Sequence, residues 1–393
     1  MIDYSKILSK AVVDIKPSGI RKFFDIANTM QDVISLGVGE PDFRTPYKIR
    51  AAGIRSLDKG YTRYTSNRGM SELLSEISRY VERKYEVSYN PCEEILVTVG
   101  GSEAIDAAVR ALVNPGEEVI IPSPSYVCYE PITTLAGGVP VIIDLKAEND
   151  FKLTKKELLS KITDKTKLLI LPYPSNPTGA VMEREDLEDI ASVLRERDII
   201  VISDEIYAEL TFSDKPHVSI SSLPGMKERT VLVNGFSKAF SMTGWRMGYA
   251  CGPKEIISEI TKIHQFAIMC APTTSQYAAI EALRSCEREV EEMREEYDHR
   301  RKIIVSGFNA LGLACREPKG AFYAFPCIKS TGLSSDEFCE RLLYSKRVAL
   351  VPGTAFGKSG EGFVRASYCY STEHIKTALA RIGEFLEELK NQK

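Results

Sequence analysis

Apolar positions in the middle of the chain fall in short unbroken runs. EILVTV (94–99), EEVIIPS (117–123), VPVIIDL (139–145), KLLILPY (167–173), DIIVISD (198–204), TVLVNG (230–235) and MGYACG (247–252) are mostly rich in valine and isoleucine. A strand with one wet face alternates apolar with polar residues, whereas a strand apolar on both faces is covered from both sides. The stretches between the runs, such as SEAIDAAVRALV (102–113) and REDLEDIASVLRERD (184–198), carry apolar residues at helical spacing. This alternation predicts an α/β fold built on a mostly parallel, doubly wound, seven-stranded sheet.

The pattern changes in the last hundred residues. A charged helix over 286–312 precedes short strand candidates at AFYAFP (321–326), VALVPG (348–353) and FVRASY (363–368), and a terminal helix begins at TEHIK. These describe a smaller α+β domain. The first 45 or so residues precede the alternating core and are expected to join it. The expected division is a large domain over 46–288 and a small one over 1–45 plus 289–393.

Composition narrows the function. The 393 residues are 44% hydrophobic and 27% charged, and the net charge of −3 offers no basic field for nucleic acid. Nine cysteines without a C-x-x-C pair read as scattered core thiols in a reducing compartment. Four histidines far apart in sequence suggest no metal site. The N-terminus lacks the apolar stretch of a signal peptide, and no run is long enough to span a membrane. A soluble, cytoplasmic protein is expected.

Chemistry collects where the runs end, as ligands do in open α/β sheets. After EILVTV, Gly100-Gly101-Ser102 opens a helix. That is either a glycine turn with a serine cap or an anion cradle of free N–H groups at a helix N-terminus. After EEVIIPS comes Tyr126, an aromatic face or a rim residue of the core. After KLLILPY, two prolines flank Asn176 and could hold its amide in a set direction. DIIVISD ends in Asp204, which serves either as a helix cap or as a carboxylate awaiting a cation, with Tyr207 close behind. TVLVNG leads into FSKAFSMTGWRMG, with Ser237, Lys238 and Arg246. A lysine there is an ordinary solvated side chain or a desolvated amine able to attack an aldehyde. Pyridoxal phosphate needs all five features: an anion site, a ring face, an amide, a carboxylate and an amine. PGTAFGKSGEG (352–362) has Pro352 where a phosphate loop needs glycine and reads as a turn.

GEPDF, SNPTG, SDEIY and SKAFSMTGWRMGY together resemble the fold-type I, class I/II aminotransferases, in the bacterial and archaeal aspartate or aromatic branch, over nearly the whole chain. The resemblance implies a pyridoxal 5'-phosphate enzyme that moves amino groups between an amino acid and a 2-oxo acid by a ping-pong, Schiff-base mechanism. Lys238 then matches the lysine that bonds the cofactor and moves the proton. Asp204 matches the partner of the ring nitrogen. Asn176 and Tyr207 match the pair on the phenolic oxygen, and Tyr126 the stacking position. Gly101, Ser102, Arg246 and Ser237 match the phosphate site. Tyr64 matches a tyrosine that reaches the neighbouring subunit, so a homodimer with shared sites is implied. Arg365 matches the grip on the substrate carboxylate, with Asn176 beside it, and Gly39 a backbone contact from a closing N-terminal lid. Aspartate or an aromatic amino acid is the expected donor. Ser102 replaces the lysine that reads a distal carboxylate in some aspartate-preferring relatives, so strict aspartate specificity is not implied, Arg21 is a candidate substitute cation, and methionine-type or N-acyl-diaminopimelate substrates stay open. A C–S or β-eliminating lyase would use the same cofactor groups.

Overall fold

The computed structural model describes residues 2–17, 19, 30–213 and 215–391. All seven predicted runs form strands of one sheet: β1 (Ile95–Thr98), β2 (Glu118–Ser123), β3 (Val139–Asp144), β4 (Thr166–Leu171), β5 (Ile200–Asp204), β6 (Thr230–Gly235) and β7 (Gly248–Cys251). Their order across the sheet is β1-β7-β6-β5-β4-β2-β3. The sheet is mostly parallel, and β7 alone runs antiparallel to both of its neighbours.

The unbroken runs follow from two apolar layers. Leu168 and Ile170 of β4 face one core with Ala104, Ile105 and Ala108 of α1 (Gly101–Leu112) and Ile257 and Ile260 of α2 (Lys254–Ala267). Leu169 and Leu171 face the other core, with Leu187, Ile190 and Leu194 of the helix Arg184–Leu194. Each of these leucine and isoleucine side chains is nearly or fully enclosed, which is worth about 1.5–3 kcal/mol apiece.

A separate core lies beside this sheet. The long helix α3 (Glu287–Ala310) buries Val290, Met293, Tyr297, Ile304 and Phe308, spaced three, four, seven and four residues apart. Most of them pack with Phe322, Phe338, Ile375 and Phe385. A three-stranded antiparallel sheet of Val351–Pro352, Val364–Ser367 and Tyr323–Ala324 belongs to it. Ile34–Ser35 pairs in parallel with Val348–Ala349, so the N-terminal segment is hydrogen-bonded to the C-terminal part of the chain. Among the described residues, no helix is long and apolar enough to cross a membrane.

The turn region read from PGTAFGKSGEG is two short 3-10 turns, Gly353–Phe356 and Lys358–Gly360. It docks on the end of β2, where Ser125 N–H donates to Phe356 O at 3.1 Å.

Candidate active site

Strands β1, β2, β4, β5 and β6 point the same way, so their carboxyl ends share one edge of the sheet. A cavity of ≈ 520 Å³ opens there. It is lined by Gly39, Gly101, Ser102, Tyr126, Asn176, Asp204, Tyr207, Ser237, Lys238, Arg246 and Arg365, together with residues not singled out from sequence: Tyr129, Thr243 and Tyr323 among them.

The phosphate-type cradle is built from β1 into α1. Gly100 has φ +80°, and a Cβ there would sit 2.6 Å from Arg246 Nη2. Only glycine lets the guanidinium pack on this turn. Arg246 takes φ +51° and donates from Nη1 to Thr243 O at 3.0 Å. Gly101 and Ser102 present the first N–H groups of α1, which have no intrahelical acceptor.

Asp204 ends β5 and is buried. Its Oδ2 accepts from Tyr129 Oη at 2.7 Å and its Oδ1 from Ile206 N–H at 3.2 Å. Burial pushes its carboxyl above the usual range, against the opposing pull of these two hydrogen bonds. The carboxylate therefore caps its own turn and also faces the cavity. No salt bridge to Asp204 occurs among the described residues.

Lys238 follows β6. Its Nζ donates to Gly39 O at 2.7 Å and lies 5.8 Å and 5.6 Å from the ring centroids of Tyr207 and Phe322. Burial pulls its amine down to about 8, and the nearby Arg365 and Arg246 charges act in the same direction. The solvated-lysine alternative does not describe this side chain.

Arg365 is buried among aromatic rings, with its guanidinium carbon 4.4 Å from the centroid of Tyr323 and 4.7 Å from that of Phe356. Nη1 donates to Asn176 Oδ1 at 2.8 Å, and Nη2 donates to Gly37 O. Nε is enclosed without a partner. No carboxylate of the described residues pairs with this cation. Tyr207 and Tyr323 share a hydroxyl hydrogen bond of 2.8 Å, and a Cβ on Gly39 would meet Tyr323 Oη at 2.0 Å. Burial raises the Tyr126 phenol, partly offset by a hydrogen bond from Ser102.

Tyr64 stands apart. It is 82% exposed and does not line the cavity. Arg21 lies outside the described residues. A larger cleft of ≈ 1020 Å³ opens elsewhere, between Tyr80, Glu209, His217 and Glu287. Most of its charges pair with each other, as in Lys84–Glu287 and Arg294–Glu291, and it holds no desolvated amine.

The donor set fits pyridoxal phosphate: a buried carboxylate without a cation, a buried cation without a carboxylate, a depressed amine and a free helix start share one cavity. Comparison with known proteins points the same way. The family described as Aminotransferase class I and II matches residues 31–382. The chain is 52% identical to the YugH protein of Bacillus subtilis (strain 168), covering 97% of this chain and 98% of that protein. It is 48% identical to the aspartate aminotransferase of Pyrococcus abyssi, over 96% of this chain and 97% of the relative. The crystal structure of the aromatic aminotransferase from Pyrococcus horikoshii OT3 superposes with a TM-score of 0.90 at 46% identity, covering 94% of this chain and 99% of that one.

Proposed function

The chain belongs to the class I and II aminotransferases, and from that membership we propose a pyridoxal-phosphate-dependent enzyme that exchanges an amino group between an L-amino acid and a 2-oxo acid in two alternating half-reactions. The observation that carries this reading is the cavity in which Lys238, its amine pulled down to about 8, faces the same space as the unpaired Asp204 and Arg365. Pyridoxal phosphate, when bound, supplies an aldehyde and an electron-withdrawing ring.

Each side chain then has one task. Lys238 offers a neutral amine and carries the proton to and from the substrate α-carbon. Asp204, held by Tyr129, meets the ring nitrogen. Asn176 and Tyr207 donate to the phenolic oxygen, and Tyr126 covers the ring. Gly101, Ser102, Ser237 and Arg246 take the phosphate, joined by Tyr64 of a second copy in a homodimer. Arg365 and Asn176 take the substrate carboxylate, with Gly39 closing from the N-terminal side. We place the domain division at 46–288 against 1–45 plus 289–393. It is supported by the Ile34–Val348 pairing and by the separate core around α3.

Arg365→Lys keeps the charge but loses the fork. We expect kcat/KM for amino acids to fall about 30- to 150-fold, the worth of about 2–3 kcal/mol of charge-assisted hydrogen bonding. A primary amine without the α-carboxylate, reacting slowly in both proteins, should show no such drop. An equal loss with both compounds would remove Arg365 from the carboxylate site.

The donor side chain is read as aromatic or otherwise apolar. Arg246 and Arg365 are committed to the phosphate and the α-carboxylate, and the remaining described walls include Ile105, Tyr126, Val127, Pro172, Pro174, Ile206 and Tyr323. A second carboxylate would be buried unpaired, at about 1–3 kcal/mol. A donor panel with 2-oxoglutarate as acceptor tests this. Phenylalanine or tyrosine should exceed aspartate in kcat/KM by about tenfold or more, and the reverse order would assign a distal cation such as Arg21. Release of ammonia without amino transfer would assign a lyase.

A further inference from the structure

The start of α1 carries a carboxylate that is held away from it. Glu103 is the third residue of the helix, where a carboxylate normally folds back to the N-cap N–H, here Gly100. Here it reaches one residue further. Its Oε2 accepts from Val99 N–H, before the turn, and its Oε1 accepts from His264 Nδ1 at 2.5 Å. His264 belongs to α2 and is fully buried, and its Nε2 has no partner. Glu103 itself keeps only 14% of its side chain exposed. An ionised carboxylate can only accept, so Nδ1 carries the hydrogen.

The consequence lies in the N–H groups left over. Gly101 and Ser102 line the cavity, and the Glu103 carboxylate takes neither of their N–H groups. An anion at this turn would meet the carboxylate if Glu103 swung forward from Val99 and His264, and the two negative charges would repel. We propose that His264 and Glu103 are positioning residues: the imidazole and Val99 N–H hold the carboxylate back, so the first turn of α1 stays open for a phosphate. This rests on the reading of that turn as the phosphate end of the cofactor site.

The test measures anion binding directly. Apoprotein of the full chain is titrated with inorganic phosphate and then with pyridoxal phosphate, for wild type, His264→Leu, His264→Asn and the Glu103→Gln/His264→Leu double variant. His264→Leu should weaken both ligands by about tenfold or more. Asparagine, whose amide nitrogen can stand where Nδ1 stood, should remain within about threefold. The double variant should recover most of the loss, because a neutral amide repels no phosphate. A purely structural histidine would lower the melting temperature equally in the single and double variants and leave phosphate affinity unmoved. Unchanged phosphate affinity in His264→Leu, or no recovery in the double variant, overturns the proposal. His264→Phe carries the same comparison if leucine prevents a cooperative melt. Failure of wild type to bind pyridoxal phosphate would instead overturn the cofactor reading itself.

Discussion

Lys238→Ala should lose transamination by at least about 10⁴-fold, the upper range of what a positioned proton-transfer group supplies. The reason lies in where the amine sits. Burial pulls it down to about 8, so at pH 7 about one amine in ten is neutral. An ordinary lysine would offer about one in 3,000. That is roughly 300-fold more neutral amine available to bond an aldehyde. Because the value is lowered, neutral amine is gained as pH rises through about 8, well before an exposed lysine would respond. Capture of pyridoxal phosphate by the apoprotein should therefore accelerate up to about pH 8 and then level off. After borohydride reduction, the adduct should map to the peptide containing Lys238 by mass spectrometry. Turnover within tenfold of wild type in Lys238→Ala, or an adduct on another lysine, would sink the assignment.

Much of this was legible in the chain, and the reasons are specific. Leu168 to Leu171 read as a strand because successive side chains enter two different apolar layers, which leaves no polar position in the run. Direction was not legible: nothing in GYAC distinguishes β7, antiparallel to both neighbours, from its parallel companions. The pairing of Ile34–Ser35 with Val348–Ala349 joins two-residue strands across most of the chain, and short-range pattern carries no such information.

The site was readable because a parallel sheet gathers strand ends at one edge, so residues far apart in sequence could be placed together by position alone. Tyr129 and Tyr323 escaped that logic. Tyr129 lies in the helix Tyr129–Leu135 beyond the strand end, and Tyr323 inside the apolar run AFYAFP. Both look like core, and both are core except at one oxygen. The available signal was the rule that a buried tyrosine hydroxyl seeks a partner: Tyr129 finds Asp204, and Tyr323 finds Tyr207. Glu103 also escaped that logic, since its partner His264 is 161 residues away.

Asp204→Asn should lower kcat by about 10³-fold while sparing the fold of the apoprotein. Without a salt-bridged cation the carboxylate pays for its burial: its pKa is raised, with desolvation as the largest cause and the Tyr129 and Ile206 hydrogen bonds and the Lys238 charge opposing. The sign follows directly. A raised pKa means that the charged form is disfavoured in the folded state, so this group's contribution to stability falls as pH rises through its folded value. At neutral pH the apoprotein carries that cost, and asparagine, nearly the same shape, does not. The Asp204→Asn apoprotein should therefore melt at or above the wild-type temperature at pH 7. Its advantage should shrink as the pH falls and wild-type Asp204 becomes neutral. A protonated ring nitrogen reverses the balance. It supplies the missing cation in a buried setting, where removing one partner of a charge pair costs about 3–5 kcal/mol. The rise in melting temperature on adding pyridoxal phosphate should thus be clearly smaller for Asp204→Asn than for wild type, alongside the loss in kcat. A variant with a lowered apoprotein melting temperature, an undiminished cofactor shift and near-normal kcat would show that Asp204 only caps its own turn through Ile206 N–H.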